Sequence, residues 1–213
     1  MKIVNVFAGA ALALSVAALS QPAAASSVLY DSGPIDGNTN AVEIDTGSNQ
    51  AGGASFTVGH NSKVTGVTFG AWTEGGALTN VDWGITDQFG TVEDDGTAVV
   101  TEGSLLFNNV FGFDVRTDSF STSPVQLTAG TVYYLWLQGA TSATLVGWDA
   151  NSGSSNSYFA QGVFDGFSGL GSVAFQILGN SVPEPATWTM MLLGVAGLGA
   201  SLRMRRRTAA AIA

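Results

Sequence analysis

The chain has 213 residues, no cysteine and a net charge of −9, with 16 acidic residues against seven basic ones. The lack of cysteine excludes disulfides, thiol catalysis and thiolate metal centres. Five of the seven basic residues lie in the two end segments, so residues 26–182 hold fifteen acidic residues against Lys63 and Arg116 alone, a net of −13. No basic patch stands there to hold nucleic acid, which excludes nucleic-acid partners.

At the start of the chain, Lys2 precedes an apolar run over residues 3–19 and then Gln21-Pro22-Ala23-Ala24-Ala25. A basic start, an apolar centre and an Ala-x-Ala exit predict a secretory signal peptide over residues 1–25. Ala23 and Ala25 are the small residues that signal peptidase reads, with cleavage after Ala25.

Residues 26–181 read as one domain. They are rich in Gly, Ser, Thr and Asn, with aromatics spread throughout and no apolar stripe of helical period, an all-β composition. Turn residues separate short apolar runs about every ten positions. The pattern predicts strands at 28–30, 41–44, 54–58, 64–72, 81–86, 98–101, 110–116, 125–127, 131–138, 145–148, 157–160 and 173–178. Val81, Trp83 and Ile85 alternate with Asp82, Gly84 and Thr86, so one face is buried and the other wet. The run Thr131-Val132-Tyr133-Tyr134-Leu135-Trp136-Leu137 is apolar on both faces and reads as a central strand. Gly66 shifts the alternation around it, which predicts a bulge. Glu93-Asp94-Asp95-Gly96 and Thr128-Ala129-Gly130 read as hairpin turns, and Asn151-Ser152-Gly153-Ser154-Ser155-Asn156 as a loop. The predicted fold is an antiparallel β-sandwich of jelly-roll type.

A search of this body for chemistry finds little. His60 is the one histidine, on the turn Gly59-His60-Asn61-Ser62, and no Gly-x-Ser-x-Gly elbow accompanies it, so no catalytic residues are assigned. A zinc site needs several His or Cys ligands. Asp82 and Asp149 each adjoin a tryptophan, but a glycosidase requires two carboxylates facing each other. Asp36-Gly37-Asn38-Thr39-Asn40, followed by Glu43 and Asp45, sets oxygen donors at alternate loop positions, which suits Ca²⁺ with Asp36, Asn38 and Asn40 as ligands. The EF-hand pattern is not met, since Ala41 stands where that loop needs Gly and Gly47 where it needs Glu. An Asx-rich turn capping its own backbone is the alternative. Trp72 and Trp148, with Tyr158, Phe164 and Phe167, are the candidates for stacking on a sugar ring.

The end of the chain is the most specific segment. Val182-Pro183-Glu184-Pro185-Ala186-Thr187-Trp188 leads into residues 186–202, seventeen positions without a charge, and then Arg203-Met204-Arg205-Arg206-Arg207. That length is the lower limit for crossing about 30 Å of hydrocarbon. Trp188 sits where an interfacial aromatic belongs, and Arg203, Arg205, Arg206 and Arg207 predict a cytoplasmic end at residues 208–213 by the positive-inside rule.

The order of proline motif, span and arginines resembles the PEP-CTERM sorting signal over residues 182–207, with Pro183, Glu184, Pro185 and Trp188 as its motif. The resemblance implies an exported bacterial protein, an exosortase as processing partner, an inner-membrane precursor and exopolysaccharide nearby. The body is more loosely similar to β-sandwich domains placed ahead of such tails, through Ser55-Phe56-Thr57-Val58, Val81-Asp82-Trp83-Gly84-Ile85 and Ala174-Phe175-Gln176-Ile177. The expectation is a non-enzymatic envelope or matrix protein. The alternative is a Ca²⁺-assisted lectin-like module, and a glycan-active enzyme ranks below both.

Overall fold

The computed structural model describes residues 26–37, 40–47, 50–87, 90–142, 145–151, 157–161, 167–168, 172–182, 189–199 and 203. The strands are β1 (Ser27–Asp31), β2 (Asn40–Glu43), β3 (Gln50–Thr57), β4 (Ser62–Thr73), β5 (Asn80–Asp87), β6 (Val92–Val99) and β7 (Leu105–Asn108). They continue with β8 (Asp114–Leu127), β9 (Val132–Thr141), β10 (Val146–Asn151), β11 (Ser157–Gln161), β12 (Phe167–Ser168), β13 (Ser172–Val173) and β14 (Phe175–Ser181).

Two sheets share one core. The eight-stranded sheet runs β1-β14-β4-β10-β13, with β2 also on β10 and β8 on β4, and β7 attached beyond β8. The six-stranded sheet runs β12-β11-β3-β9-β5-β6. Pairing between the named strands is antiparallel. The sheets hold eight and six strands, more than the eight in all of a jelly roll.

The alternation seen in the sequence sets the core. Val67, Phe69 and Ala71 of β4 face Val81, Trp83 and Ile85 of β5 and Leu135 and Leu137 of β9 across one hydrophobic cluster. Phe56, Phe175, Tyr30 and Trp148 add an aromatic group with ring centroids 5.4–6.2 Å apart. Each fully buried large side chain contributes about 1.5–3 kcal/mol, and without a disulfide this burial is what holds the domain.

β9 is central, between β3 and β5, as its two apolar faces require. The bulge at Gly66 is present: the β4–β8 register shifts between Val64 and Gly66. The turn at Thr128-Ala129-Gly130 is present too, with Gly130 at φ 73° and the Thr131 N–H donating to the Thr128 carbonyl at 3.3 Å.

Three expectations are corrected. Glu93-Asp94-Asp95-Gly96 is no turn but lies inside β6, paired with Trp83, Gly84 and Ile85. As the sheet's edge, β6 can carry three acidic side chains because solvent reaches them. Residues 110–112 form a turn rather than a strand, and β7 precedes them. Residues 114–116 of that predicted strand and the predicted strand 125–127 belong instead to the single fourteen-residue β8.

Residues 189–199 are helical and every one of them is exposed, as is Arg203. No described helix is long and apolar enough to cross a membrane. The signal-peptide segment 1–25, the loop 152–156, Pro183, Glu184, Pro185, Trp188, Arg205, Arg206 and Arg207 lie outside the described residues.

Candidate functional site

The most unusual chemistry of the body centres on Asp149 of β10. Alternation along β10 turns Trp148 into the core and Asp149 to the opposite face of the eight-stranded sheet, yet Asp149 is 0% exposed. Two features of the fold enclose it. Gly70 stands beside it on β4, where a Cβ would come within 2.8 Å of the Asp149 Cβ and 3.0 Å of Ile35. The connection from β1 to β2 then folds over the face.

That connection is tied down at both ends. The Ser32 hydroxyl donates to the Val173 carbonyl at 2.5 Å and accepts from the Phe175 N–H at 2.7 Å. Further on, the backbone N–H groups of Asp36 and Gly37 donate to the two oxygens of Asp149, each at 3.0 Å. Trp72 Nε1 supplies a third donor at 2.6 Å, and the Asn151 amide donates to the Pro34 carbonyl at 2.8 Å. Trp72 is itself covered by Phe111 and Phe113, with ring centroids at 5.9 and 5.8 Å.

Burial pushes the Asp149 carboxyl up to about 6, against the lowering effect of the Trp72 hydrogen bond and the backbone donors. The nearby Asp36 charge adds to the rise. The three donors are neutral, so they orient the carboxylate without cancelling its charge. A general base must reach a substrate proton; enclosed on every side, Asp149 instead acts as a strut between the sheet and the β1–β2 connection.

Asp118 of β8 is a second enclosed carboxylate, also 0% exposed, on the core side opposite Phe69. The Gly103 N–H donates to its Oδ1 at 3.0 Å, and its Oδ2 has no hydrogen-bond partner. Burial is the main cause of its raised pKa, with a smaller rise from Glu102.

The candidate residues fall as follows. Trp72 and Trp148 are 4% and 0% exposed, which corrects their reading as sugar contacts: neither offers a ring face to solvent. Trp148 donates its Nε1–H to the Ala174 carbonyl at 3.0 Å. Of the Ca²⁺ candidates, Asp36 gives its backbone N–H to Asp149, and the Asn40 side chain caps the Ala41 N–H at 2.9 Å. Of these, the Asn40 contact is a side chain capping the backbone next to it. Asn38 lies outside the described residues, and no metal-holding group of three or more His, Cys, Asp or Glu occurs among those described. Asp82 accepts from the Thr97 hydroxyl at 2.5 Å on the wet face of β5. His60 is exposed on its turn.

Open depressions also occur among the described residues. A groove of about 550 Å³ runs between the β1–β2 connection and β7, lined by Pro34, Ile35, Thr68, Leu106, Thr117 and Gln176. A smaller polar recess of about 200 Å³ is lined by Asp45, Gln50, Asp82 and Gln138.

Sequence reasoning noticed Asp149 for its neighbouring tryptophan but missed what it does. The readable signal is an acid inside Val146-Gly147-Trp148-Asp149-Ala150, a run otherwise without charge, where a buried carboxylate must find donors.

At the other end of the domain, β14 finishes at Ser181, and the Val182 N–H donates to the Asn61 carbonyl at 2.6 Å. The proline motif therefore follows directly on the last residue held by the sheet. Residues 181–207 match the PEP-CTERM protein-sorting motif. No curated protein matches the chain. Residues 181–207 thus carry the PEP-CTERM sorting motif, the signal for exosortase-dependent sorting of an exported protein.

Proposed function

We propose that this protein is a non-enzymatic component of the cell envelope or extracellular matrix, held in the inner membrane until an exosortase acts near Pro183-Glu184-Pro185. The observation that carries this reading is the match of residues 181–207 to the sorting motif. Its placement in the chain supports the reading, because the matched segment begins at Ser181, the last residue of β14. The helix over residues 189–199 supports it as well. Met190, Met191, Leu192, Leu193, Val195 and Leu198 are 61–70% exposed, and a helix apolar on all sides suits lipid better than water.

In this scheme residues 1–25 direct export and are removed by signal peptidase after Ala25. Residues 186–202 hold the precursor, and the four arginines keep its end cytoplasmic. The β-domain is the passenger. Its two enclosed carboxylates support backbone, Asp149 under the β1–β2 connection and Asp118 under Gly103, which favours a structural role over a catalytic one. Its place among extracellular polysaccharide rests on the resemblance of the tail.

Replacing Pro183, Glu184 and Pro185 together by alanine is expected to leave a longer form in the membrane fraction. Mass spectrometry of protein from the exporting cell reads the difference directly. A triple variant trimmed and released like the wild type would refute the sorting role of the motif.

A further inference from the structure

The edges of the two sheets are protected unequally. At β6, the edge of the six-stranded sheet, Glu93, Asp94 and Asp95 line the strand, and such charges discourage pairing by another chain. β7 is Leu105-Leu106-Phe107-Asn108, without a charge, and among the described residues it pairs only with β8. Leu105, Leu106 and Phe107 are 46%, 45% and 37% exposed, and the turn into β8 adds Val110 at 83% and Phe111 at 60%. Phe111 stacks on the buried Trp72, so the apolar surface has a firm backing.

Charge singles out the same edge. Arg116, one of the two basic residues between 26 and 182, lies opposite Leu105 and binds Glu102 at 2.8 Å and Asp114 at 3.5 Å. Arg116 against these two carboxylates leaves a local charge of about −1, on a body whose net charge is −13.

We propose that β7 is a self-association edge: two copies of the chain pair β7 with β7 across a two-fold axis, antiparallel, continuing the eight-stranded sheet from one copy into the other. Like-charged bodies repel over most of their surface and can approach where the local charge is small. A two-fold axis sets an apolar patch against itself, so one patch suffices for closure. The five side chains offer on the order of 500 Å² of apolar surface per copy, reckoning about 150–250 Å² for a whole aromatic. That is below the about 800 Å² per partner of a standard interface. Main-chain hydrogen bonds of the added strand set the register, and the small area makes a reversible dimer rather than a permanent one.

The absence of cysteine makes the test direct, because a single introduced thiol reports only its own contacts. In the full-length chain, Leu106→Cys, close to the axis, is expected to give a disulfide-linked dimer on mild oxidation. Val99→Cys, 76% exposed on β6, is expected to stay monomeric. Sedimentation should show the wild type passing from monomer to dimer with concentration, and the Leu105→Glu/Val110→Glu double variant remaining monomeric with an unchanged melting temperature. Any of three results overturns the proposal. The wild type could stay monomeric and Leu106→Cys unlinked. Cross-linking could be equal at residues 99 and 106. Or the dimer could survive the double variant, which would move the contact elsewhere, for example to the apolar helix over residues 189–199.

Discussion

Asp149 keeps a full carboxylate in the interior with three neutral donors around it, so what each oxygen faces decides its contribution. In an Asp149→Asn variant the amide nitrogen must point at one of the N–H groups of Trp72, Asp36 or Gly37, leaving two donors facing each other. The expected loss is about 2 kcal/mol, the usual effect of an unsatisfied buried polar group. It is read as a lower urea midpoint with the same slope. The sequence showed an acid beside a tryptophan in a strand and suggested an open binding face. It could not show that Trp72, 77 positions away, turns its N–H to the same carboxylate, or that Phe111 and Phe113 close the ring off. Those contacts join four separate segments of the chain.

Between β4 and β10 the fit is steric. Gly70 leaves room for both the Asp149 side chain and Ile35, and a methyl group there would press on each. Gly70→Ala is expected to cost about 1–3 kcal/mol by overpacking, seen as a lower melting temperature with the β-sheet circular dichroism retained. The elements themselves were legible to different degrees. β5 and β9 stood out because period-two patterning and a two-sided apolar run depend only on neighbouring residues. β6 was misread as a turn because Glu93-Asp94-Asp95-Gly96 has turn composition, whereas an edge strand tolerates charge where solvent covers it. β7 was missed because exposed Leu105-Leu106-Phe107 shows no alternation. β8 was split because its middle, Thr117 to Ser123, is polar apart from Phe120. Each of these three strands is defined by its partner more than by its own composition.

Three carboxyl groups among the described residues shift the same way: Asp149 to about 6, and Asp118 and Glu43 upward, burial being the first cause for each. A raised carboxyl holds its proton in the folded state at a pH where the unfolded chain has released it. The folded state then binds more protons, and stability falls as pH rises from about 4 through about 6. For Asp149 alone the gap corresponds to about 3 kcal/mol. The wild type is therefore expected to resist urea better at about pH 5 than at about pH 7.5, and Asp149→Asn to flatten that slope. Equal slopes in both proteins would assign the effect to the net charge of −13 in the body and not to Asp149.

By itself the sequence determined the sorting signal, the all-β class, the central strand, the bulge and the acidic, cysteine-free character of the body. These follow from residue order, local period and composition, which need no partner to be read. Only the tertiary structure decided that Trp72 and Trp148 are interior, that Asp149 fastens the β1–β2 connection, and that β7 is the uncharged edge beside Arg116. The physical reason is that burial, donor supply and edge position arise when distant segments meet, and one residue's neighbours in sequence do not specify its neighbours in space.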